Sequence, residues 1–412
     1  MKIYLVGGAV RDKLLGKAIS DRDWVVVGAT PEQMLARGYQ QVGADFPVFL
    51  HPTSHEEYAL ARTERKVGQG YTGFECDASA HVTLEQDLRR RDLSINAMAL
   101  SDKGELIDPY KGQQDLQNKI LRHVSDAFTE DPLRVLRVAR FAARFKGDGF
   151  TISDETLALM GEIAKSGELE HLSAERVWKE TARSLLEAHP EVYFETLHKC
   201  GALVYWFGEL DVLWGIPNPA PCHPEIDTGV HAMLVLQQAA SLSSALTVRF
   251  AALVNAVGKG LTPPTDWPSQ HDHEKRGLEP INTLCDRLKA PNDCRELAVI
   301  MNEFHSHVHH AFELKPATIL AMFNRCDAWR KPLRFKDFLT TCVADARGRK
   351  DLDQKSYINS DYIWSALQTA QSVDVKAIVE AGYQGAQIKQ QLDQQRIATL
   401  SLFKDQVANI KL

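Results

Sequence analysis

The chain has 412 residues, enough for two to four domains, and its 44% hydrophobic and 25% charged content is that of an ordinary soluble protein. No apolar run approaches the roughly twenty residues that span a bilayer, and Met1-Lys2-Ile3 leads straight into a strand, so neither a membrane span nor a signal peptide is expected. Seven scattered cysteines without a C-x-x-C pair argue against a disulfide frame or a zinc site, and for reduced thiols in a cytoplasmic setting. The net charge of −6 runs against a nucleic-acid enzyme. Cations are concentrated locally, however, in Arg89-Arg90-Arg91 and in Arg134, Arg137, Arg140 and Arg144.

In chain order, Lys2–Val6 reads as a strand, Gly7-Gly8 as a turn and Ala9–Gly16 as a compact amphipathic helix. A second strand follows, carrying Asp21 and Asp23 ahead of Trp24-Val25-Val26-Val27. Residues i and i+2 of a strand share a face, so both carboxylates reach one point. Like charges held there call for a cation between them, and oxygen donors suit Mg²⁺. The diglycine lets backbone N–H groups approach a polyphosphate. An isolated D-x-D is more often a solvated strand edge. The succession of strand, diglycine, Arg11, helix and D-x-D is what points to nucleotidyl transfer. Further strands are expected at 41–50 and 57–62, then a glycine-hinged loop at 66–73 and a helix opening at Thr83. Leu106–Tyr110 closes the mixed region. Beyond it the helical period dominates, interrupted by proline-rich connectors at 217–224 and 262–268. The fold class is α+β, a mixed α/β head followed by an all-α remainder.

The second strong signal is Glu130-Asp131-Pro132-Leu133-Arg134-Val135-Leu136-Arg137-Val138-Ala139-Arg140-Phe141-Ala142-Ala143-Arg144. Asp131 suits an N-cap and Pro132 the first helical position. At about 100° per residue the four arginines share one face, and Val135, Val138, Ala139 and Ala142 fill the other. Alone, such a helix would be read as a solvated basic face; the acidic pair upstream favours a functional one. Asp131 only accepts hydrogen bonds and Arg134 only donates them. Cytosine and adenine both offer an amino donor beside a ring-nitrogen acceptor, whereas uracil and guanine offer the reverse. The pair would therefore accept C and A and reject U and G, each mispaired buried group costing about 1–3 kcal/mol.

On these motifs the chain resembles the bacterial tRNA nucleotidyltransferases, the CCA-adding enzymes of the class shared with bacterial poly(A) polymerases. The motifs are Leu5-Val6-Gly7-Gly8-Ala9-Val10-Arg11-Asp12, Asp21-Arg22-Asp23, Arg90-Arg91-Asp92 and Glu130–Arg137. The resemblance covers essentially the whole chain. It implies a polymerase-β-like head over residues 1–139, a helical neck at 140–227, a His-Asp-type helical domain at 228–329 and a tail at 330–412 that grips tRNA. It implies that Asp21 and Asp23 are catalytic and hold two Mg²⁺ ions, with Glu57 a weaker candidate for a third carboxylate. Gly8 and Arg11 would contact the triphosphate, and Arg91 and Asp92 the nucleotide, Asp92 accepting from the ribose hydroxyl. Asp131 and Arg134 would read the base, and Arg137 and Arg140 would meet phosphate or the RNA end. CTP, ATP and tRNA are the implied partners, and the loop at Gly68, Gly70 and Gly73 the implied element of the change from C to A addition. Poly(A) polymerase is the rival reading, but Val42–Phe46 is acidic where those relatives carry a basic element.

In longer relatives the His-Asp domain is a metal-dependent phosphohydrolase. Here the doublet position reads Asn255-Ala256, and Ser306 stands at the far position. These cannot replace the ligands, so a scaffold without phosphohydrolase activity is expected, despite His231, His273 and His305. The run His305, His307, His309 and His310 is expected to be ordinary surface histidines.

Overall fold

A computed structural model of the chain describes residues 1–19, 21–42, 48–66, 74–220 and 223–410. The expected glycine loop at Gly68, Gly70 and Gly73 and the acidic stretch at Gly43–Phe46 lie outside them. The head is built on a seven-stranded sheet in the order β3-β4-β5-β2-β1-β8-β9. Its strands are β1 (Lys2–Val6), β2 (Asp23–Val27), β3 (Gln40–Val42), β4 (Val48–Leu50), β5 (Glu57–Leu60), β8 (Ala99–Ser101) and β9 (Leu106–Ile107). Between them, β6 (Thr63–Lys66) and β7 (Phe74–Asp77) form a separate antiparallel pair. Among the described residues, only β2 and β5 run parallel in the large sheet. The single strand expected at 41–50 is instead an antiparallel pair, Val42 facing Val48.

Apolar residues cover both faces of this sheet. Val6, Val25, Leu88 and Ala99 pack on one side; Val26, Met34, Phe49 and Leu60 pack on the other. That is why Trp24–Val27 is continuously apolar rather than alternating. The covering helices are α1 (Gly8–Leu14), α2 (Pro31–Ala36) and α3 (Leu84–Arg89). Thr30 and Thr83 open α2 and α3 with reciprocal capping boxes to Gln33 and Gln86. After α4 (Gly112–Asn118) come α5 (Leu133–Phe145), α6 (Asp154–Lys165), α7 (Ala174–Leu185), α8 (Glu191–Lys199) and α9 (Leu203–Asp211), the last broken at Phe207. A short parallel pair, β10 (Ile120–Leu121) and β11 (Thr151–Ile152), was not foreseen beyond Tyr110; two residues carry too little periodicity to read.

The chain divides into two compact units, Met1–Ser184 with Val192–Trp206, and Leu185–Glu191 with Phe207–Leu412. The boundary expected at 139/140 falls inside α5, an unbroken helix with no Pro or Gly to end it. The second unit is helical among the described residues: α10 (Thr228–Leu242), α11 (Leu246–Val254), α12 (His273–Leu288), α13 (Asn292–His309), α14 (Pro316–Arg325), α15 (Pro332–Arg347), α16 (Asn359–Gln371), α17 (Val375–Glu380) and α18 (Ala386–Ile410). Leu236, Phe250, Leu284, Met301 and Phe338 are buried in it. No helix is long and apolar enough to cross a membrane among the described residues.

Candidate active site

The register of β1 on β2 assembles the first half of the site. Val6 pairs with Asp23, so the residue that ends β1 and leads into Gly7-Gly8 sits beside the residue that begins β2. Gly7 has φ 70° and ψ −133°, a conformation closed to side chains. A Cβ there would also stand 2.8 Å from Arg91 Nη1. Asp23 starts β2 and Asp21 precedes it, so strand alternation does not align the pair as expected. Both nevertheless line the same cavity of about 560 Å³. Glu57 is the register partner of Asp23 on the parallel neighbour β5, but it is not among the lining residues.

Apart from Glu57, the nucleotide- and metal-site candidates named from the sequence all reach this one cavity: Gly8, Arg11, Asp21, Asp23, Arg91, Asp92, Asp131, Arg134, Arg137 and Arg140. Among the described residues its walls hold ten arginines and five aspartates, a surplus of five positive charges that suits a polyphosphate. The arginines are aimed by carboxylates behind them. Arg11, 3% exposed, gives Nε and Nη2 to Asp12 Oδ1 at 2.8 Å each and Nη1 to Asn96 Oδ1 at 2.5 Å. Its guanidinium also lies 5.4 and 5.1 Å from the ring centres of Phe141 and Phe145. Asp87, fully buried, accepts from the Arg62 N–H, from Arg90 and from Arg91. Burial pushes the Asp87 carboxyl up, but Arg90 and Arg91 outweigh it and hold it below the usual range.

Asp92 is more committed than the sequence implied. Its Oδ1 takes the Leu93 N–H at 2.8 Å and Asn96 Nδ2 at 2.9 Å, and its Oδ2 takes Arg137 Nε and Nη2 at 2.8 Å each. Those four donors fill the acceptor sites of a carboxylate, so a ribose hydroxyl would have to displace one. Against the upward push of burial, Arg137 and Asn96 hold Asp92 well below its ordinary range, and Asp92 in turn raises Arg137.

The arginine face of α5 is a cavity wall rather than a solvated surface. Arg134 and Arg140 are buried, while Val135, Val138, Ala139 and Ala142 pack on the reverse side. Asp131 has extended dihedrals and Pro132 helical ones; Asp131 Oδ1 accepts the Leu133 N–H at 3.1 Å, doing the work of a cap. Asp131 Oδ2 accepts Arg176 Nη2 at 2.8 Å, and Arg134 donates to the Ala127 carbonyl. Arg140 Nε pairs with Glu180 Oε2 at 2.5 Å, 4.4 Å from its Cζ to the Phe141 ring centre.

Asn96, Asp87, Arg176, Glu180 and Arg183 were missed by sequence reasoning. Arg176, Glu180 and Arg183 recur at i, i+4 and i+7 on α7, a helical stripe that could have been read. Asn96 and Asp87 carry no such pattern; burial alone reveals them.

Two family models match, the poly A polymerase head domain over residues 3–122 and the probable RNA and SrmB-binding site of polymerase A over residues 149–213. A multifunctional CCA protein of Pseudoalteromonas atlantica is 66% identical, the match covering 97% of this chain and 99% of the relative. The chain belongs to the multifunctional CCA protein family. A second member, from Psychromonas ingrahamii, is 56% identical over 98% of this chain and 99% of its own. The family fold recurs in solved CCA-adding enzymes. One in complex with ATP has a TM-score of 0.66 at 18% identity, the match covering 97% of this chain and 86% of that one. Another, from Thermotoga maritima in complex with tRNA, has a TM-score of 0.64 at 16% identity, covering 100% and 92%. At that identity the likeness concerns the fold alone.

Proposed function

We propose that this chain adds and repairs the 3′-terminal CCA of tRNA, taking CTP and ATP and releasing pyrophosphate without a nucleic-acid template. The observation that carries the reading is the meeting, in one cavity, of Asp21 and Asp23, the diglycine and the arginine face of α5. Relatives named for CCA addition over nearly the full chain support it. Arg11, Arg91, Arg137 and Arg140 hold the triphosphate. Their guanidinium groups are fixed by Asp12, Asp87, Asp92 and Glu180 before the ligand arrives, so little order has to be gained on binding. Asp131 accepts the amino group of C or A, and Arg134 donates to the adjacent ring nitrogen. Arg176, now on Asp131, gives way to the base.

The reaction depends on divalent metal, and the oxygen-only donors Asp21 and Asp23 fit Mg²⁺. Bound there, it supplies a more acidic tRNA 3′-hydroxyl and neutralises charge on the α-phosphate and departing pyrophosphate. With Asn255 donating to Asp345 and Ala256 beside it, the His-Asp position of the second unit serves as scaffold. Turnover of 2′,3′-cyclic phosphates with Ni²⁺ or Mn²⁺ would overturn that part. The free cysteines among the described residues, Cys76, Cys200, Cys285, Cys294, Cys326 and Cys342, suit a reducing, cytoplasmic location.

The test is incubation of tRNA lacking its last three nucleotides with CTP and ATP. Incorporation of two C and one A is expected; a long A tract would instead identify a poly(A) polymerase. Asp21→Ala and Asp23→Ala should each abolish incorporation while leaving the thermal unfolding profile in place.

A further inference from the structure

Helices α5 and α7 meet in order along their lengths. Arg176, near the start of α7, places Nη2 2.8 Å from Asp131 Oδ2, where α5 begins. Glu180, one turn on and 3% exposed, accepts Arg140 Nε at 2.5 Å through Oε2, and its Oε1 lies 3.6 Å from Arg137 Nη1. The two helices therefore point the same way. At about 100° per residue Arg176, Glu180 and Arg183 share one face, and Arg183 continues the row roughly 4.5 Å beyond Glu180. That brings it level with the last turns of α5, and both Arg176 and Arg183 line the cavity.

The two ends of this row serve different parts of a nucleotide. In the proposed function Asp131 and Arg134 meet the base, while Arg11, Arg137 and Arg140 meet the triphosphate. Arg11 marks the direction in which the phosphates run. Its guanidinium lies 5.4 and 5.1 Å from the ring centres of Phe141 and Phe145, on the last turns of α5. A nucleotide with its base at Asp131 lays its phosphates along α5 toward Phe145. Its terminal phosphate arrives beside Arg183.

Arg183 also differs in kind from its neighbours. Arg11 and Arg144 share Asp12, Arg90 and Arg91 share Asp87, Arg137 and Arg140 share Glu180, and Arg176 rests on Asp131. Each of these gives donors and part of its charge to the protein. Arg183 is exposed and has no carboxylate partner among the described residues. Its planar fork of donors is left for a ligand. The terminal phosphate carries the most charge and the most free oxygens of the three, which suits a bidentate guanidinium. An unheld side chain can also follow a departing group, as the fixed arginines cannot.

Resting on that reading of the cavity, we propose that Arg183 binds the terminal phosphate of the incoming CTP or ATP and stays with it in the pyrophosphate product. It serves both nucleotides alike, because C and A carry the same phosphates.

Calorimetric titration of the full-length protein with CTP, CMP and pyrophosphate, with Mg²⁺ and without tRNA, tests this. Arg183→Met should weaken CTP and pyrophosphate by roughly five- to tenfold and leave CMP unchanged. Arg183→Lys should recover most of the loss. In steady-state incorporation, Arg183→Met should raise KM for CTP and ATP by the same factor and leave KM for tRNA unchanged. Unfolding curves confirm that both variants are folded. Unaltered CTP affinity, an equal loss for CMP and CTP, or a loss confined to tRNA would overturn the assignment. Should the unaltered protein incorporate no C or A into tRNA, the proposed function falls, and the comparison of CTP with CMP still judges Arg183.

Discussion

In the proposed function, the reading of the base rests on single atoms of Asp131. Replacing it by Asn keeps the shape but puts an amino donor where an acceptor is needed. Asp131→Asn should therefore lower kcat/KM for CTP and ATP by about 1–3 kcal/mol, roughly five- to 150-fold, and narrow the gap to UTP. Steady-state incorporation with each triphosphate reads this directly; unchanged selectivity would remove Asp131 from base recognition. Gly7 makes a complementary case. Gly7→Ala meets both a positive φ and a 2.8 Å approach to Arg91 Nη1. The variant should raise KM for both triphosphates alike, because the proposed function assigns the displaced Arg91 to the phosphates and not to the base.

The end of α3 is held by one buried carboxylate. Asp87 gathers the Arg62 backbone, Arg90 and Arg91, so Asp87→Asn leaves two guanidinium groups short of their counter-charge. A loss of about 3–5 kcal/mol is expected on urea unfolding. The pH dependence has a definite sign. Because the folded-state pKa is depressed, the Asp87 contribution is complete above the unfolded value of about 3.9 and is lost as pH falls below it. The unaltered protein should thus lose more stability than D87N between about pH 5 and pH 2. Elements of this kind were unevenly legible. The β1–α1–β2 order and the α5 arginine face were readable because glycine, alternation and helical period mark them. Asp23 was foreseen on its strand and Asp21 was not placed correctly, because D-x-D spacing says nothing of where pairing begins. The division of 41–50 into β3 and β4 escaped notice because the stretch is apolar enough to pass for one strand. Asp87, Asn96 and Glu180 stayed invisible, since a buried carboxylate or amide is defined by partners distant in sequence.

For the whole chain, the contrast is between a net charge of −6 and a cavity with five surplus cations. On the proposed function those surplus cations meet the phosphates of the nucleotide and of the RNA end, so attraction for RNA is expected to concentrate there. At about 0.7 counterions released per single-strand phosphate, five such contacts give a log–log salt slope of about −3.5. Filter binding of tRNA lacking CCA across a KCl series measures it. A slope steeper than about −7 would place most phosphate contacts elsewhere.

The two oxygens of Asp131 have separate employments, one fastening the first turn of α5 and the other restraining Arg176. Recoding this enzyme for a different nucleotide by mutation at that position would accordingly loosen the helix that carries the remaining arginines. Designers seeking new substrates would do better to begin at Arg176, whose bond to Asp131 Oδ2 can be given up while Oδ1 still fastens the first turn of α5.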